Sequence, residues 1–369
     1  MGPSILFDKS AIQSLGQDAL FEVSRYFYTV VPPVLLMETL ADLSLKPEDL
    51  DSAKKKVAGI AKKVFPIDSI GNADYFSMCV HNLLGEHIPM HRVPAVLGGK
   101  PVVAKDGSKG ILVDLQPENE AILRWRTGQF NEDDLKFALE WRTVSKSFDL
   151  EAMKNALPKP PIRIQSAEQV AQVVDLMLVE PELQQPLLNW FLGLLRCDSE
   201  IQEKIRLRWK WGIAKSLRPF APYACHCLRV QLIFYVGMSH GIFGTRPSNV
   251  VDLEYLCYTP FAFVFCSGDK LHQQLAPLIL DADQSFVDRD KLKCALVEMA
   301  AARIESPNAE PADHSLIRQL WLKHWKTPPQ PPGHRQVSEE ECKRIMEAMK
   351  PILETIRAHK ALPGRRFPV

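Results

Sequence analysis

The 369-residue chain predicts an α/β protein with a mainly parallel central sheet, interrupted by a large, mostly helical insertion. Apolar β-rich runs alternate with helical patterns over the first 65 residues and again after residue 245, the grammar of strands joined by crossover helices. Between those stretches the alternation stops and helix-period patterns follow one another. Hydrophobic residues make up 46% and charged residues 24%, the balance of a folded chain rather than a disordered one.

Residues 4–7 (SILF) read as a short buried strand, 11–24 as a helix and 28–31 as a second strand. Pro32-Pro33 opens a helix over 34–43, because proline suits the first turn, where its missing N–H is not needed. Another helix covers 46–64: Pro47 stands at its start, acids follow, and lysines gather toward its end, matching the helix dipole. Its Lys54-Lys55-Lys56 run reads as a solvated face.

Glycine pairs and an Asp106-Gly107 turn punctuate residues 101–115, which predict a hairpin with Val102-Val103 on one strand and Ile111-Leu112-Val113 on the other. Helical patterns then occupy 118–145, 167–178, 186–195, 200–217 and 225–238. Alternation resumes with a short helix at 250–256, an apolar β run at 261–267, a helix at 270–279, a strand around Phe286-Val287 and a helix at 291–304. Residues 327–333 form a stiff proline-rich connector, and 338–359 a charged helix opened by the capping pattern Ser338-Glu339-Glu340-Glu341. The organisation expected is therefore 1–65 as the first part of an α/β domain, 66–244 as the insertion with its hairpin, 245–326 as the second part, and 327–369 as connector and final helix.

A formal net charge of +1 supplies no global field, so attraction for a polyanion must come from a local patch. The eight cysteines are scattered, and the one tight group, Cys225-His226-Cys227, has neither a disulfide-framework nor a zinc-ligand spacing. They read as reduced thiols of a cytoplasmic protein. No signal segment or myristoylation pattern opens the chain, and Glu180, Pro181, Glu182 and Pro186 break its most apolar stretch, so no membrane span of ~20 residues is expected.

Two aspartates share one setting: Asp8 follows ILF and Asp269 follows FAFVFCSG, each at the C-terminal edge of a buried strand, where parallel α/β sheets bind ligands. Glu38 lies on the helix after the second strand, and Asp252 near the start of the helix that leads toward Asp269. Carboxylates converging from such distant segments repel unless a cation sits among them. Hard oxygen donors without histidine or thiolate favour Mg²⁺ or Mn²⁺. Such ions lower the pKa of water and stabilise a leaving oxygen, which suits phosphodiester hydrolysis. A cation would also explain a charge at the end of the first buried strand.

In their order, ILFDKSAI, VVPPVLLMETLADL, VVDLEYL and AFVFCSGDKLH resemble the PIN-like nuclease superfamily. Its acidic pattern is an aspartate after the first strand, an acid on the second helix, and two aspartates flanking the fourth strand. The resemblance implies a three-layer PIN-like fold and a metal-dependent endonuclease, usually of RNA, with Asp8, Glu38, Asp252 and Asp269 as catalytic metal ligands. It covers residues 3–65 and 245–305. The chain departs from the pattern at Lys9, where a small or hydroxyl residue is usual, and at Gly268, where many members have threonine or serine. Ser10 stands ready to supply the missing hydroxyl. Asp252 could instead be a helix N-cap, with Glu254 as its substitute.

Substrate contacts are expected from Ser10 and from the loop SHGIFGTRPSN, where Arg246 and Asn249 suit a phosphate. EKIRLRWKWGIAKSLR, with Arg208 among cations interleaved with Trp209 and Trp211, reads either as a nucleic-acid groove or as an amphipathic helix whose tryptophans pack inward. Cys225-His226-Cys227 and His240 read as structural, and His81, His87 and His91, with Glu86 among them, form no paired His-Glu-x-x-His motif. The expected partner is nucleic acid, RNA before DNA, with room for a protein partner or a homo-oligomer. A catalytically inactive PIN-like binding module is the competing reading, and Lys9 and Gly268 favour it. Hydrolysis of small phosphorylated substrates is a third.

Overall fold

Ser4–Phe7 forms the central strand β1, and every one of its side chains is buried. A strand covered on both faces cannot alternate apolar and polar residues, which is why SILF reads as one run. In the computed structural model, residues 2–43, 47–64, 69–96, 100–103, 109–112, 117–147, 149–156, 164–306 and 312–325 are described, all within the unit Met1–Trp325. The proline-rich connector and final helix expected at 327–359 lie outside the described residues.

β1 pairs in parallel with β2 (Tyr28–Val31) and with β6 (Val264–Ser267). Two edge strands complete the sheet, β3 (Ser69–Gly71) beside β2 and β7 (Ser285–Asp288) beside β6, giving the order β3-β2-β1-β6-β7, all parallel. Its topology reverses at β1: the chain first adds strands on one side, then returns to add β6 and β7 on the other. The antiparallel hairpin of β4 (Lys100–Val103) and β5 (Lys109–Leu112) forms a separate small sheet, as its glycine punctuation predicts.

Helices connect the strands and cover the sheet. The expected helix 11–24 is divided at Leu15-Gly16 into α1 (Lys9–Ser14), whose N-cap is Asp8, and α2 (Gln17–Ser24). Next come α3 (Pro33–Leu40), with Pro33 in its first turn, α4 (Leu50–Val64) and α5 (Tyr75–Leu84), which stops at Gly85 with φ +111°. That left-handed conformation is open to glycine at little steric cost. The expected helix 118–145 is likewise two, α6 (Pro117–Arg126) and α7 (Glu132–Lys146), divided by a turn with Gly128 at φ +77°, and Asn131 and Asp134 close a reciprocal capping box on α7.

The helical block continues as α8 (Leu150–Ala156), α9 (Ala167–Met177), α10 (Gln184–Leu194), α11 (Ser199–Trp211), α12 (Leu217–Phe220) and α13 (Pro222–Ser239). Beyond it, α14 (Asn249–Cys257), α15 (Lys270–Ile279), α16 (Arg289–Glu305) and α17 (Leu316–His324) alternate with β6 and β7.

The segment 66–244 does more than interrupt the sheet. It contributes β3, an edge strand, and α5, which packs on α13. Its α9 and α13 then join the main core through α14 and α15. A second, smaller core forms where α6 and α7 dock on α3 and α4, around Leu40, Val57, Ile122, Trp125 and Ala138. Burying each such large side chain stabilises by roughly 1.5–3 kcal/mol, so α7 is held beside α3 by apolar packing. Cys79, Cys225, Cys227, Cys257 and Cys266 are buried with free thiols. No described helix is long and apolar enough to cross a membrane.

Candidate active site

Strand order decides where the acids meet. β1 and β6 lie on either side of the point where the sheet's topology reverses, and in parallel sheets the crevice beyond that point, at the carboxyl ends of the strands, receives ligands. Asp8 is the first residue after β1, and Asp269 the second after β6. Glu38, on α3, and Asp252, in the first turn of α14, complete the group. Burial pushes the Asp252 carboxyl up to about 7, with Asp269, Glu38 and Asp8 adding to the rise against the opposing pull of His272. Four acids from distant parts of the chain thus act on one another.

Asp8 is the most tightly held. Only 4% exposed, its Oδ1 accepts the Ala11 N–H at 2.8 Å, and the Ser10 hydroxyl lies 3.0 and 2.9 Å from its two oxygens. The Ser267 hydroxyl donates to Oδ2 at 2.7 Å, and His272 Nδ1 lies 3.6 Å from the same atom. Burial by itself raises the carboxyl; contact with His272 and the Ser267 and Ala11 bonds outweigh it and hold Asp8 below the usual carboxylate range. Ser10 therefore orients Asp8.

Ser267 and His272 tie the set together. The Ser267 oxygen accepts the Asp269 N–H at 2.9 Å and lies 2.7 Å from His272 Nδ1, while His272 Nε2 faces the Asp252 carbonyl at 2.7 Å. A carbonyl only accepts, so Nε2 carries a proton. Because the Ser267 proton goes to Asp8, Nδ1 must donate to Ser267, which makes the ring an imidazolium. Burial opposes that charge, but Asp8 and Asp252 override it and raise the His272 pKa. Fully buried His272 thereby links the Asp8 side chain to the Asp252 backbone, and Ser267 links it to the Asp269 backbone.

Glu38 has a different environment. Its Oε2 accepts the Tyr255 hydroxyl at 2.7 Å, and the Lys9 ammonium stands 3.9 Å from Oε1, 2.8 Å from the Glu38 carbonyl and 3.2 Å from Asp42 Oδ1. Burial still dominates and raises the Glu38 carboxyl. Lys9 answers the departure noted in the sequence: it is a built-in cation for Glu38 and Asp42, the latter also paired with Lys56 at 3.0 Å. Gly268 has a local reason as well, since a Cβ there would lie 2.7 Å from the Arg289 guanidinium carbon.

Asp269 caps α15 by accepting the Leu271 N–H at 2.7 Å, and Arg246, largely exposed, reaches to 3.7 Å from its Oδ2. Asp252 is not the cap of α14, whose N-cap is Ser248, and among the described residues no hydrogen bond or ion pair reaches its carboxylate. Burial, with Asp74 and Glu38, raises the Glu254 carboxyl to about 8.

Besides Ser10, which is spent on Asp8, two expected substrate contacts are otherwise employed. Asn249 is 3% exposed and donates to the Gly244 carbonyl at 2.7 Å, bracing the loop. Arg208 spends its guanidinium on the carbonyls of Leu83 at 2.8 Å and Phe220 at 2.9 Å, over the Phe220 ring. Trp209 packs inward against that ring, as the amphipathic-helix reading requires, whereas Trp211 stays exposed. His240 bonds to the Val236 carbonyl and His226 to the Leu256 carbonyl, both structural uses.

Sequence reasoning missed Asp42, Ser267 and His272. Asp42 follows Glu38 by four residues, the spacing that places two side chains on one helix face, so its signal was present. His272 looks like any histidine on the buried face Leu271, Leu275, Ala276, Ile279, and nothing local distinguishes it.

The donor set is carboxylate oxygens, the chemistry that suits a hard cation, with Asp252 raised by burial and, less, by its acidic neighbours. Among the described residues, however, no three His, Cys, Asp or Glu side chains converge closely enough to hold one ion. No protein-family model, curated protein or solved structure matches the chain.

Proposed function

We propose that the chain is a PIN-like, metal-dependent endonuclease that hydrolyses phosphodiester bonds, RNA before DNA. The observation that carries the reading is the position of Asp8 and Asp269 at the ends of the two strands beside the topological reversal, with Asp252 and Glu38 completing the acidic rim. The acids also follow the superfamily's order: one after the first strand, one on the helix after the second, and two flanking β6, the fourth strand of the main sheet.

Asp8 and Asp269 would be the main ligands of Mg²⁺ or Mn²⁺, with Asp252 and Glu38 completing or orienting the shell, Glu38 at its margin because Lys9 already balances it. Once bound, the ion supplies an activated water and charge for the leaving oxygen. The chain's own residues do the positioning: Ser10, Ser267 and the Ala11 N–H fix the Asp8 carboxylate, and Arg246 stands at the Asp269 edge with a fork suited to phosphate.

The Lys9 pairing favours a second reading, a PIN-like module that binds nucleic acid or a protein partner without cleaving. Labelled single-stranded RNA, single-stranded DNA and duplexes, incubated with Mn²⁺, Mg²⁺ or EDTA, separate the two. The nuclease reading expects metal-dependent cleavage that Asp8→Asn and Asp269→Asn abolish in folded protein. Absence of cleavage by the wild type, or equal cleavage by the variants, contradicts it.

A further inference from the structure

A cleft of about 240 Å³ opens beside the acidic rim, and its two walls come from different parts of the chain. Lys9, Glu38 and Asp252 form one wall; Trp141, Arg142 and Ser145, on successive turns of α7, form the other. The small core under α6 and α7 fixes this second wall, so the insertion delivers an indole and a guanidinium to the edge of the candidate active site. Trp141 is half-buried: one part of the ring packs on the core and the rest faces the cleft.

We propose that this cleft receives one unpaired nucleotide of a nucleic-acid strand, its base stacked on Trp141 and its phosphate turned toward Arg142. The proposal rests on the reading of the rim as a phosphodiester site. The cleft is on the scale of a single nucleotide rather than a base pair, so a single strand is the occupant its size favours. An aromatic face accepts any base, because each has a π-surface to stack, and the forked guanidinium of Arg142 matches phosphate oxygens. The insertion thereby turns an acidic edge into a slot that selects single strands.

The test uses the full chain carrying Asp8→Asn, in EDTA, so that binding is read without turnover. Fluorescence anisotropy with a labelled ten-residue single-stranded RNA, and with the same RNA annealed to its complement, gives two affinities. The single strand is expected to bind more tightly than the duplex, and Trp141→Ala to weaken it by about 5- to 100-fold, the worth of one base–aromatic stack. Trp141→Phe, which keeps a stacking ring and the packing, should restore most of the affinity. It should also lose part of the tryptophan quenching that RNA produces in the parent.

Equal affinity with and without Trp141 in folded protein overturns the slot, as does equal binding of duplex or no binding of any strand. Failure of the hydrolysis reading looks different. Strand binding that depends on Trp141, with no cleavage by the wild type in Mn²⁺ or Mg²⁺, leaves the slot standing, whereas cleavage with affinity indifferent to Trp141 removes the slot alone.

Discussion

Asp8 and Asp252 sit at opposite ends of one electrostatic gradient. Asp8 collects donors from Ala11, Ser10 and Ser267 and stays ionised; Asp252 collects none and is raised to about 7 by burial and by the other acids. The sign of the consequence is fixed by proton binding. A carboxyl raised in the folded state binds more protons there than in the unfolded chain, so its contribution to stability falls as pH rises from the ordinary carboxylate range toward 7. Asp252→Asn removes that loss. In metal-free urea unfolding, the variant should gain on the wild type at pH 8 relative to pH 5; a gap that shrinks or stays constant with rising pH contradicts the assignment.

Ser267 carries a larger structural burden than its size suggests, since its hydroxyl serves Asp8, His272 and the Asp269 N–H together. Ser267→Ala leaves those buried groups short of partners and should cost about 1–3 kcal/mol, the penalty for stranding a buried polar group, measured as a shift in urea midpoint at constant slope. Single residues were unevenly legible. The acids that end buried strands stand out in the sequence because a charge there is expensive, while Ser267 and His272 are invisible until the fold brings β6 and α15 against Asp8.

At the scale of elements, α11 shows how a motif with two readings is resolved by its neighbours. Cations interleaved with tryptophans fit both a nucleic-acid groove and an amphipathic helix; Arg208 and Trp209 are used inward, on the end of α5 and on Phe220. Arg208→Ala should therefore lower stability by about 1.5–3 kcal/mol, the range for hydrogen bonds from a charged donor, and leave the affinity for RNA unchanged. A variant of normal stability with weakened RNA binding reverses that assignment. The strands that run buried through the sheet were readable as apolar runs, whereas β3, three residues long and only partly covered, gave no such signal. Helices were recognised by period, but their breaks at Gly16 and Gly128 were not, because apolar spacing continues across a turn that only backbone geometry reveals.

For the whole molecule, the alternation at the two ends of the described unit foretold a parallel sheet assembled from segments more than two hundred residues apart, and β1 does pair with β6 across the insertion. What the sequence concealed is the insertion's part in the architecture, since its contribution depends on tertiary docking: β3 extends the sheet, α13 builds core against α14, and α7 walls the acidic cleft. The central claim is that the acids at the topological reversal make a cation site. The most direct measurement is a Mn²⁺ titration of the metal-free protein, followed by the EPR signal of the free ion, for wild type, Asp8→Asn, Asp269→Asn and the control Arg208→Ala. The account predicts saturable binding in the wild type and the control, weakened at least about tenfold in both aspartate variants. No saturable binding, or equal binding in all four folded proteins, would contradict it.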